Sequence, residues 1–206
     1  MDSTTETTQR IGEGRAVVGV LALQGAFREH RRALEAVGAE SREVRLPGQL
    51  EGLDALIIPG GESTTIGKLA VEWKLLEPMR EFGRAGKPIM GTCAGAILLA
   101  RHIEERGREM DQPRLGLMDV RAVRNAFGRQ RDSFEADLQV KGFDAPLHAV
   151  FIRAPLLIPE SPDVEVPASV DGRAVFIRQG RLLALSFHPE LTADVRVHKL
   201  FVDMIV

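Results

Sequence analysis

Hydrophobic residues in the first half of the chain alternate between short apolar runs and segments with helical spacing. The apolar runs at residues 16–23 and 55–58 are typical of strands buried on both faces of a parallel sheet. Between them, apolar positions recur with the spacing of one helix face: Phe27, His30, Leu34 and Val37. Gly38 stands where a helix commonly ends. The pattern therefore predicts a strand followed by a helix.

The same pattern repeats further along the chain. It predicts a short strand at residues 43–46, a helix that carries Leu75 to Phe82, and a strand at residues 88–92. This last strand runs directly into a helix over residues 94–101. Strands that alternate with helices at this spacing imply βαβ units and a mostly parallel sheet.

Beyond about residue 115 the pattern changes to alternation of apolar and polar residues. Residues 134–140 are typical of a strand with one exposed face, and residues 175–187 predict a hairpin around Gln179-Gly180. A final helix carries Val197 to Met204. We predict an α/β fold: a mostly parallel central sheet flanked by helices, with an antiparallel, hairpin-rich extension in the C-terminal half. Residues 1–14 are expected to be a flexible tail, and residues 15–206 a single domain.

Composition excludes several classes of function. The 206 residues carry 27 Lys and Arg against 29 Asp and Glu, a formal net charge of −2, which disfavours a chain-wide surface for nucleic acid. The apolar runs fall far short of the roughly 20 residues of a membrane span, and the polar N-terminus lacks the apolar core of a secretory signal. The single cysteine excludes an intrachain disulfide and any CxxC metal or redox site. We therefore expect a cytoplasmic protein without a metal, a cofactor, a nucleic acid or a membrane as partner.

Cys93, the only cysteine, lies in Gly91-Thr-Cys-Ala-Gly95 between a predicted buried strand and a predicted helix. G-x-C-x-G is the thiol version of the nucleophile elbow, a sharp strand-to-helix turn that exposes the nucleophile. The glycines are needed because a Cβ at either position would crowd neighbouring backbone. The helix N-terminus favours the thiolate, and the turn directs the Ala94 N–H at an oxyanion formed beside Cys93. A buried structural cysteine is the alternative interpretation.

His188 is the histidine that best suits a thiol nucleophile. It follows a predicted strand, and on extended backbone its side chain would point the same way as that of Glu190. The carboxylate could then orient the ring, as in a catalytic triad. The other histidines have simpler interpretations: His30 and His102 on solvated helix faces, His148 in a loop, and His198 inside the last helix.

Residues 59–65, Pro-Gly-Gly-Glu-Ser-Thr-Thr, directly follow a buried strand. Ligand sites of parallel sheets lie at the carboxyl ends of the strands, so this segment should share a rim with Cys93. A phosphate loop is excluded because Leu69 occupies the Ser/Thr position after Gly67-Lys68. Arg153 interrupts an apolar stretch at residues 149–158 and is expected to face a pocket or a partner.

Six segments together resemble the glutaminase subunits of pyridoxal 5′-phosphate synthases, within the triad glutamine amidotransferases. The segments are residues 59–64, 91–95, 124–130, 134–137, 151–155 and 186–192. The likeness runs in unbroken order from residue 16 to residue 206. It implies a three-layer, flavodoxin-like fold of the class I glutamine amidotransferase type.

The resemblance also implies a role for each matching residue. Cys93 would be the nucleophile, His188 the general acid and base, and Glu190 the residue that orients it. The oxyanion would be held by the N–H of Ala94 together with that of Gly60 or Gly61. The positions that match the glutamine-binding residues of the family are Gly61, Glu62, Ser63, Arg124, Ile152 and Arg153.

The implied partners are L-glutamine and a separate synthase subunit that receives the ammonia. In triad amidotransferases, Gln often stands four positions after the catalytic cysteine, but here that position is Ile97. This departure disfavours the glutaminase of imidazole glycerol phosphate synthase, which is the main alternative. A non-catalytic scaffold subunit with the same fold is the other alternative.

Overall fold

The structure, a computed structural model, describes residues 15–125 and 133–205. The predicted tail at residues 1–14 lies outside the described residues. In the described part, the helices are α1 (Phe27–Ala36), α2 (Ser63–Glu72), α3 (Leu76–Arg84), α4 (Ala94–Leu99) and α5 (Arg196–Asp203). The strands there are β1 (Val17–Leu21), β2 (Glu40–Val44), β3 (Ala55–Ile58), β4 (Ile89–Thr92), β5 (Ala100–Glu105), β6 (Arg108–Glu109), β7 (Met118–Val123), β8 (Ser133–Leu138), β9 (Leu147–Ile152), β10 (Leu156–Pro159), β11 (Glu165–Val170), β12 (Arg173–Gln179) and β13 (Leu182–Leu185).

The largest sheet formed by the described residues has the strand order β11-β12-β13-β4-β3-β1-β2. From β13 to β2 every neighbouring pair is parallel, whereas β12 pairs antiparallel with both β13 and β11. The predicted parallel sheet and the predicted hairpin around Gln179-Gly180 are thus confirmed. Because β13 inserts beside β4, the C-terminal half completes the sheet that the N-terminal half begins.

Both faces of this sheet are covered, which is why its central strands are apolar throughout. In β3, Leu56 and Ile58 contribute to a cluster that includes residues of α2, α3 and α4. Ala55 and Ile57 point to the opposite face, where the cluster includes residues of α1 and α5. Successive side chains of a strand point to opposite faces, so one apolar run supplies both cores. The predicted three layers are confirmed.

Two smaller sheets flank the main one in the described residues: β10-β7-β5-β6 and β8-β9. The β8–β9 pair joins the core through Phe151, which stacks on Phe134 and tilts against Phe187 at 5.7 Å between ring centroids. This contact places the end of β9 beside the segment that follows β13.

Three sequence expectations about secondary structure are wrong. Residues 63–72 form α2, where the sequence predicted only a turn-forming segment. The helix after Cys93 ends at Leu99 instead of continuing to Arg101, and the chain enters β5, so His102 lies on a strand. β2 spans Glu40–Val44, earlier than the predicted residues 43–46.

His148 also differs from its expected place in a loop, because it lies within β9. Leu147 and Ala149 point into the core, so His148 between them points outward. Its ring contacts Asp137 Oδ1 at 3.0 Å and Glu135 Oε2 at 2.9 Å on the paired strand β8.

None of the helices within residues 15–125 and 133–205 has the length and apolar character that a membrane-spanning helix needs.

Candidate active site

The carboxyl ends of four neighbouring parallel strands meet at one edge of the large sheet. Gln24 follows β1, Gly60 and Gly61 follow β3, Cys93 follows β4, and His188 follows β13. Parallel strands end on the same side, so segments far apart in sequence are brought together here. The edge therefore contains the predicted nucleophile, the predicted base and the glycine-rich segment.

Cys93 occupies a strained turn between β4 and α4. Its backbone has φ 50° and ψ −101°, a conformation that a residue with a side chain rarely adopts. Its N–H donates to the carbonyl of Leu185 on β13 at 2.7 Å, which fixes the turn against the sheet. The side chain is 7% exposed. Ala94 is the first residue of α4, so its N–H precedes the hydrogen-bonded turns of the helix.

The two glycines that flank Cys93 allow this turn to form. A Cβ on Gly95 would overlap the carbonyl oxygen of Ile58 on β3. A Cβ on Gly91 would lie 2.5 Å from the carbonyl carbon and oxygen of Gly95. In both cases the obstacle is backbone, which cannot move aside as a flexible side chain can. The G-x-C-x-G spacing thus follows from how closely α4 approaches β3 and β4.

His188 lies between Cys93 and Glu190. Its Nδ1 is 2.8 Å from Glu190 Oε1, and its ring also hydrogen-bonds Cys93. A Cβ on Gly60 would overlap His188 Cε1 and lie 3.4 Å from the Cβ of Cys93, so Gly60 packs against both. The expected extended backbone is wrong here, because residues 189–191 form a 3₁₀ turn. The side chains of His188 and Glu190 nevertheless meet.

The surroundings of His188 favour its charged form. Burial lowers the pKa of the ring, but the hydrogen bonds and charges of Cys93 and Glu190 more than offset this and raise its pKa to about 10. Burial also raises the pKa of Glu190, but the charge of His30 and the hydrogen bond and charge of His188 lower it overall. The carboxylate and the imidazolium therefore stabilise each other.

Cys93 and His188 line a cavity of about 240 Å³. Its other lining residues are Gln24, Gly61, Glu62, Ser63, Ile97, Arg124, Asn125, Ile152 and Arg153. Drug-sized ligands occupy pockets of roughly 300–1,000 Å³, so this cavity suits a smaller molecule. Both signs of charge are present in its wall, as a zwitterionic ligand requires.

All six predicted substrate-binding residues line this cavity, but Gln24, Ile97 and Asn125 were not predicted as lining residues. Gln24 has a visible signal, since it ends the first apolar run and so reaches the same edge as Cys93. Its Oε1 accepts the Glu62 N–H at 2.8 Å. Ile97 is one turn along α4 from Cys93, and its apolar side chain stands where many triad amidotransferases have Gln.

Glu62 caps the N-terminus of α2 and pairs with Arg124. Its Oε1 accepts from the N–H of Thr64 at 3.1 Å and from Arg124 Nη2 at 3.2 Å. Its Oε2 accepts from the N–H of Thr65 at 2.7 Å and from the Thr65 hydroxyl at 2.8 Å. Arg124 also donates to Thr64 Oγ1 at 3.0 Å and to Gln112 Oε1 at 2.8 Å. The cavity wall thus contains an ion pair whose carboxylate accepts four hydrogen bonds.

The opposite wall comes from the end of β9. The carbonyl oxygen of Ile152 is 3.7 Å from Cys93 Sγ, and the Ile152 side chain is 38% exposed. Arg153 is exposed beside it, with a positive φ of 44°. The expectation that Arg153 faces a pocket is confirmed, because it lines the same cavity as Cys93.

The backbone of Gly60 and Gly61 is fixed by the turn after β1. The Gly60 carbonyl accepts a hydrogen bond from the Ala26 N–H at 3.4 Å. In a trans peptide the N–H points opposite to the carbonyl, so the Gly61 N–H points away from this turn. Together with Ala94 N–H, this backbone is the predicted source of oxyanion donors.

His30 does not lie on a solvated helix face, as expected from its charged neighbours. It is completely buried on the inner face of α1, where its Nε2 is 3.5 Å from Glu190 Oε2 and 3.1 Å from Thr92 Oγ1. Its Nδ1 is 3.0 Å from His198 Nε2 on α5. The predicted position of His198 inside the last helix is correct, and that residue is also fully buried. No cluster of His, Cys, Asp and Glu in the described ranges could hold a metal ion.

Comparison with known proteins identifies close relatives. The family model described as the SNO glutamine amidotransferase family matches residues 20–206. The "Pyridoxal 5′-phosphate synthase subunit PdxT" of Pelotomaculum thermopropionicum is 58% identical over 190 residues, covering 92% of this chain and 95% of that protein. The protein of the same name from Moorella thermoacetica is 57% identical over 189 residues, covering 91% and 98%.

Solved structures agree with these sequence matches. A structure described as a glutamine amidotransferase superposes with a TM-score of 0.85 at 52% identity, covering 91% of this chain and 98% of that one. Another glutamine amidotransferase, from Thermotoga maritima, superposes with a TM-score of 0.58 at 13% identity, covering 93% and 91%. This second likeness shows the fold alone. The predicted class I glutamine amidotransferase fold is confirmed.

Proposed function

The chain belongs to the SNO glutamine amidotransferase family, and from this premise we propose that it hydrolyses L-glutamine and supplies ammonia to a pyridoxal 5′-phosphate synthase. The observation that carries the proposal is the arrangement of Cys93, His188 and Glu190 at a small, doubly charged cavity. A strained thiol beside a protonated imidazole is suited to acyl transfer.

In the first half of the reaction, the Cys93 thiolate attacks the side-chain amide carbon of glutamine. The oxyanion that forms is held by the Ala94 N–H together with the N–H of Gly60 or Gly61. His188 then gives its proton to the departing nitrogen, the carbon–nitrogen bond breaks, and ammonia leaves a γ-glutamyl thioester on Cys93. Glu190 keeps the ring oriented through Nδ1, so that Nε2 faces the reacting atoms.

In the second half, neutral His188 takes a proton from water, and the resulting hydroxide attacks the thioester carbon. The carbon–sulfur bond breaks, glutamate is released, and the thiolate–imidazolium pair is restored. The same histidine thus acts first as the acid and then as the base.

For substrate recognition, we propose that Glu62 binds the α-amino group and that the arginines bind the α-carboxylate. The four hydrogen bonds that Glu62 already accepts fill the capacity of a carboxylate, so an incoming ammonium group has to replace one donor. Arg124 is the donor that gains by leaving, because the α-carboxylate offers it a new anion. In this proposal the internal ion pair opens when glutamine binds. Ser63, Ile152 and Arg153 complete the walls around the substrate.

This assignment separates binding from chemistry. Arg124→Gln should raise KM for glutamine by about tenfold or more with a smaller change in kcat, since it removes an interaction made with the substrate before and during the reaction. Arg121→Gln is a matched control, because that arginine pairs with Glu104 and Glu160 on the neighbouring strands. Equal KM values for Arg124→Gln and the wild type would contradict the proposed role.

The function itself is tested in the presence of the partner synthase. The wild-type chain should release glutamate and ammonia and support pyridoxal 5′-phosphate formation with glutamine. Cys93→Ala should support it only when an ammonium salt is added. If Cys93→Ala works as well as the wild type with glutamine, the chain is a scaffold subunit instead of a glutaminase. We further propose that both subunits work in the cytoplasm, which agrees with a chain whose single cysteine is its nucleophile.

A further inference from the structure

A second buried polar group lies directly behind the proposed triad. The side chains of His30 and Glu190 are both inaccessible to solvent, with His30 Nε2 3.5 Å from Glu190 Oε2. Oε2 has no other hydrogen-bond partner in the described structure. A buried carboxylate oxygen without a donor is costly, so the group that faces it determines how the carboxylate is held.

His30 is the one residue that links Glu190 to two further elements. Its Nε2 also lies 3.1 Å from Thr92 Oγ1, immediately before Cys93 on β4. Its Nδ1 lies 3.0 Å from His198 Nε2 on α5, and His198 Nδ1 has no hydrogen-bond partner among the described residues. The ring is therefore fixed between α1, β4, α5 and the segment after β13.

The contacts leave one good arrangement of hydrogens for two neutral rings. If His30 carried its proton on Nδ1, the lone pair on Nε2 would face the carboxylate of Glu190. His198 would then carry its proton on the partnerless Nδ1. With the opposite tautomers, His198 Nε2–H donates to His30 Nδ1, and His30 Nε2–H points between Thr92 Oγ1 and Glu190 Oε2. Only this second arrangement gives each buried N–H an acceptor.

Neutral rings are consistent with the surroundings. Burial lowers the pKa of His30, against the raising effect of Glu190 and with a further lowering by His188. Burial and the neighbouring His30 lower the pKa of His198 to about 3. The titratable groups that face His30 are these three residues and Glu29 on its own helix.

We propose that His30 is a positioning residue for the glutaminase reaction, which holds Glu190 Oε2 so that Oε1 stays on His188, while His198 sets the His30 tautomer. This inference rests on the proposed function, because it assigns the reaction to His188 and Glu190. Without the Nε2–H of His30, the carboxylate is free to rotate away from His188. The expected loss is in kcat, since the positioned group acts on the acid and base and touches no part of glutamine.

Two amide variants test the position of the donor. His30→Gln places an amide nitrogen near the site of Nε2, whereas His30→Asn reaches only the site of Nδ1. We expect His30→Gln to retain most of the wild-type kcat. His30→Asn should lose about 10- to 100-fold with KM unchanged, the size of effect typical of groups that orient a reacting residue. His102→Asn, on an exposed part of β5, is the matched control.

A second measurement does not depend on activity. In an NMR titration, the pKa of His188 should be lower in His30→Asn than in His30→Gln and the wild type, because Glu190 no longer stays on the ring. Thermal melting and synthase binding check that both variants fold. Equal kcat and equal His188 titration in the two variants, or an effect on KM alone, would overturn the inference. A wild-type complex that releases no glutamate would overturn the proposed function instead, and the titration would still decide the role of His30.

Discussion

At the scale of single residues, the charge of His188 depends on the groups at both ends of its ring. Cys93 and Glu190 raise its pKa to about 10 although burial lowers it. Removal of one partner should therefore be visible directly. In Cys93→Ala we expect the pKa of His188 to fall, measured by NMR titration of the ring carbon-bound proton, with His188→Gln to assign the resonance. A wild-type His188 that titrates near its ordinary value of 6.5 would contradict the ion pair.

The same shift has a consequence for stability. Below pH 6.5 the ring is protonated in both the folded and the unfolded chain. Between pH 6.5 and about 10 only the folded chain keeps the proton, so the free energy of unfolding falls as the pH rises through this window. Urea titrations at several pH values should show a shallower fall for Cys93→Ala than for the wild type, because its His188 pKa is closer to the unfolded value.

Gly60 provides a test of geometry at a single position. In Gly60→Ala the new Cβ would overlap His188 Cε1 and lie 3.0 Å from Nδ1, so the ring must move. A displacement of about 1 Å at a reacting group can cost roughly 100-fold in rate, and we expect a loss in kcat of that order. Steady-state glutaminase kinetics in the complex measure it. Gly48→Ala is the control, since nothing lies within 4 Å of a Cβ there, and it should behave as the wild type.

The sequence predicted the triad residues better than their surroundings. Cys93 and His188 carry local signals, namely flanking glycines and a position at a strand end. His30 carried one too, because it shares a helical stripe with Leu34, which is also buried. The polar neighbours on α1 suggested exposure, but the spacing already placed the ring on the inner face. Its contacts with Glu190 and His198 join distant parts of the sequence, so periodicity could not reveal them.

At the scale of secondary-structure elements, the close approach of α4 to the sheet determines where Cys93 lies. Gly95→Ala would press a methyl group into the Ile58 carbonyl and push α4 away from β3. Overpacking of this kind costs typically 1–3 kcal/mol, so we expect the free energy of unfolding to fall by about 2 kcal/mol or more. Glutaminase activity should fall as well, because Cys93 moves with the helix.

Urea denaturation of Gly95→Ala beside Gly48→Ala measures this effect. Both are Gly→Ala changes, but only the first meets backbone atoms. If the two variants unfold at the same urea concentration, α4 is not held in place by its contact with Ile58.

Element boundaries were predictable where apolar runs end at glycine and were missed where a polar side chain makes the boundary. β3 was predicted as observed, because a continuous apolar run is followed by Pro59-Gly60. The start of α2 was missed because Glu62 serves as its cap through its side chain, a residue type less usual there than Ser, Thr, Asp or Asn. The turn from α4 into β5 was missed because Leu99 and Ala100 are both buried and apolar, so periodicity does not separate helix from strand.

At the scale of the whole molecule, the C-terminal half does not form a separate unit beside the parallel half. β13 pairs with β4 along four residues, Leu182–Leu185 against Ile89–Thr92, at the centre of the large sheet. The alternating pattern of the sequence correctly indicated a hairpin there. It could not show which strand the hairpin would pair with, because any buried strand offers an equally apolar neighbour. The site depends on this pairing, since it places His188 next to Cys93.

We therefore expect the chain to unfold as one cooperative unit, in agreement with the prediction of a single domain. The two hydrophobic clusters lie on opposite faces of the same strands, so loss of either face exposes side chains of the shared sheet. Urea unfolding followed by far-UV circular dichroism, by fluorescence of Trp73 and by residual glutaminase activity should give one coincident transition. A variant that begins at Arg15 should give the same midpoint, because the predicted tail adds nothing to either cluster. Separate transitions for Trp73, which follows α2, and for activity, which needs His188 after β13, would instead divide the molecule into two domains.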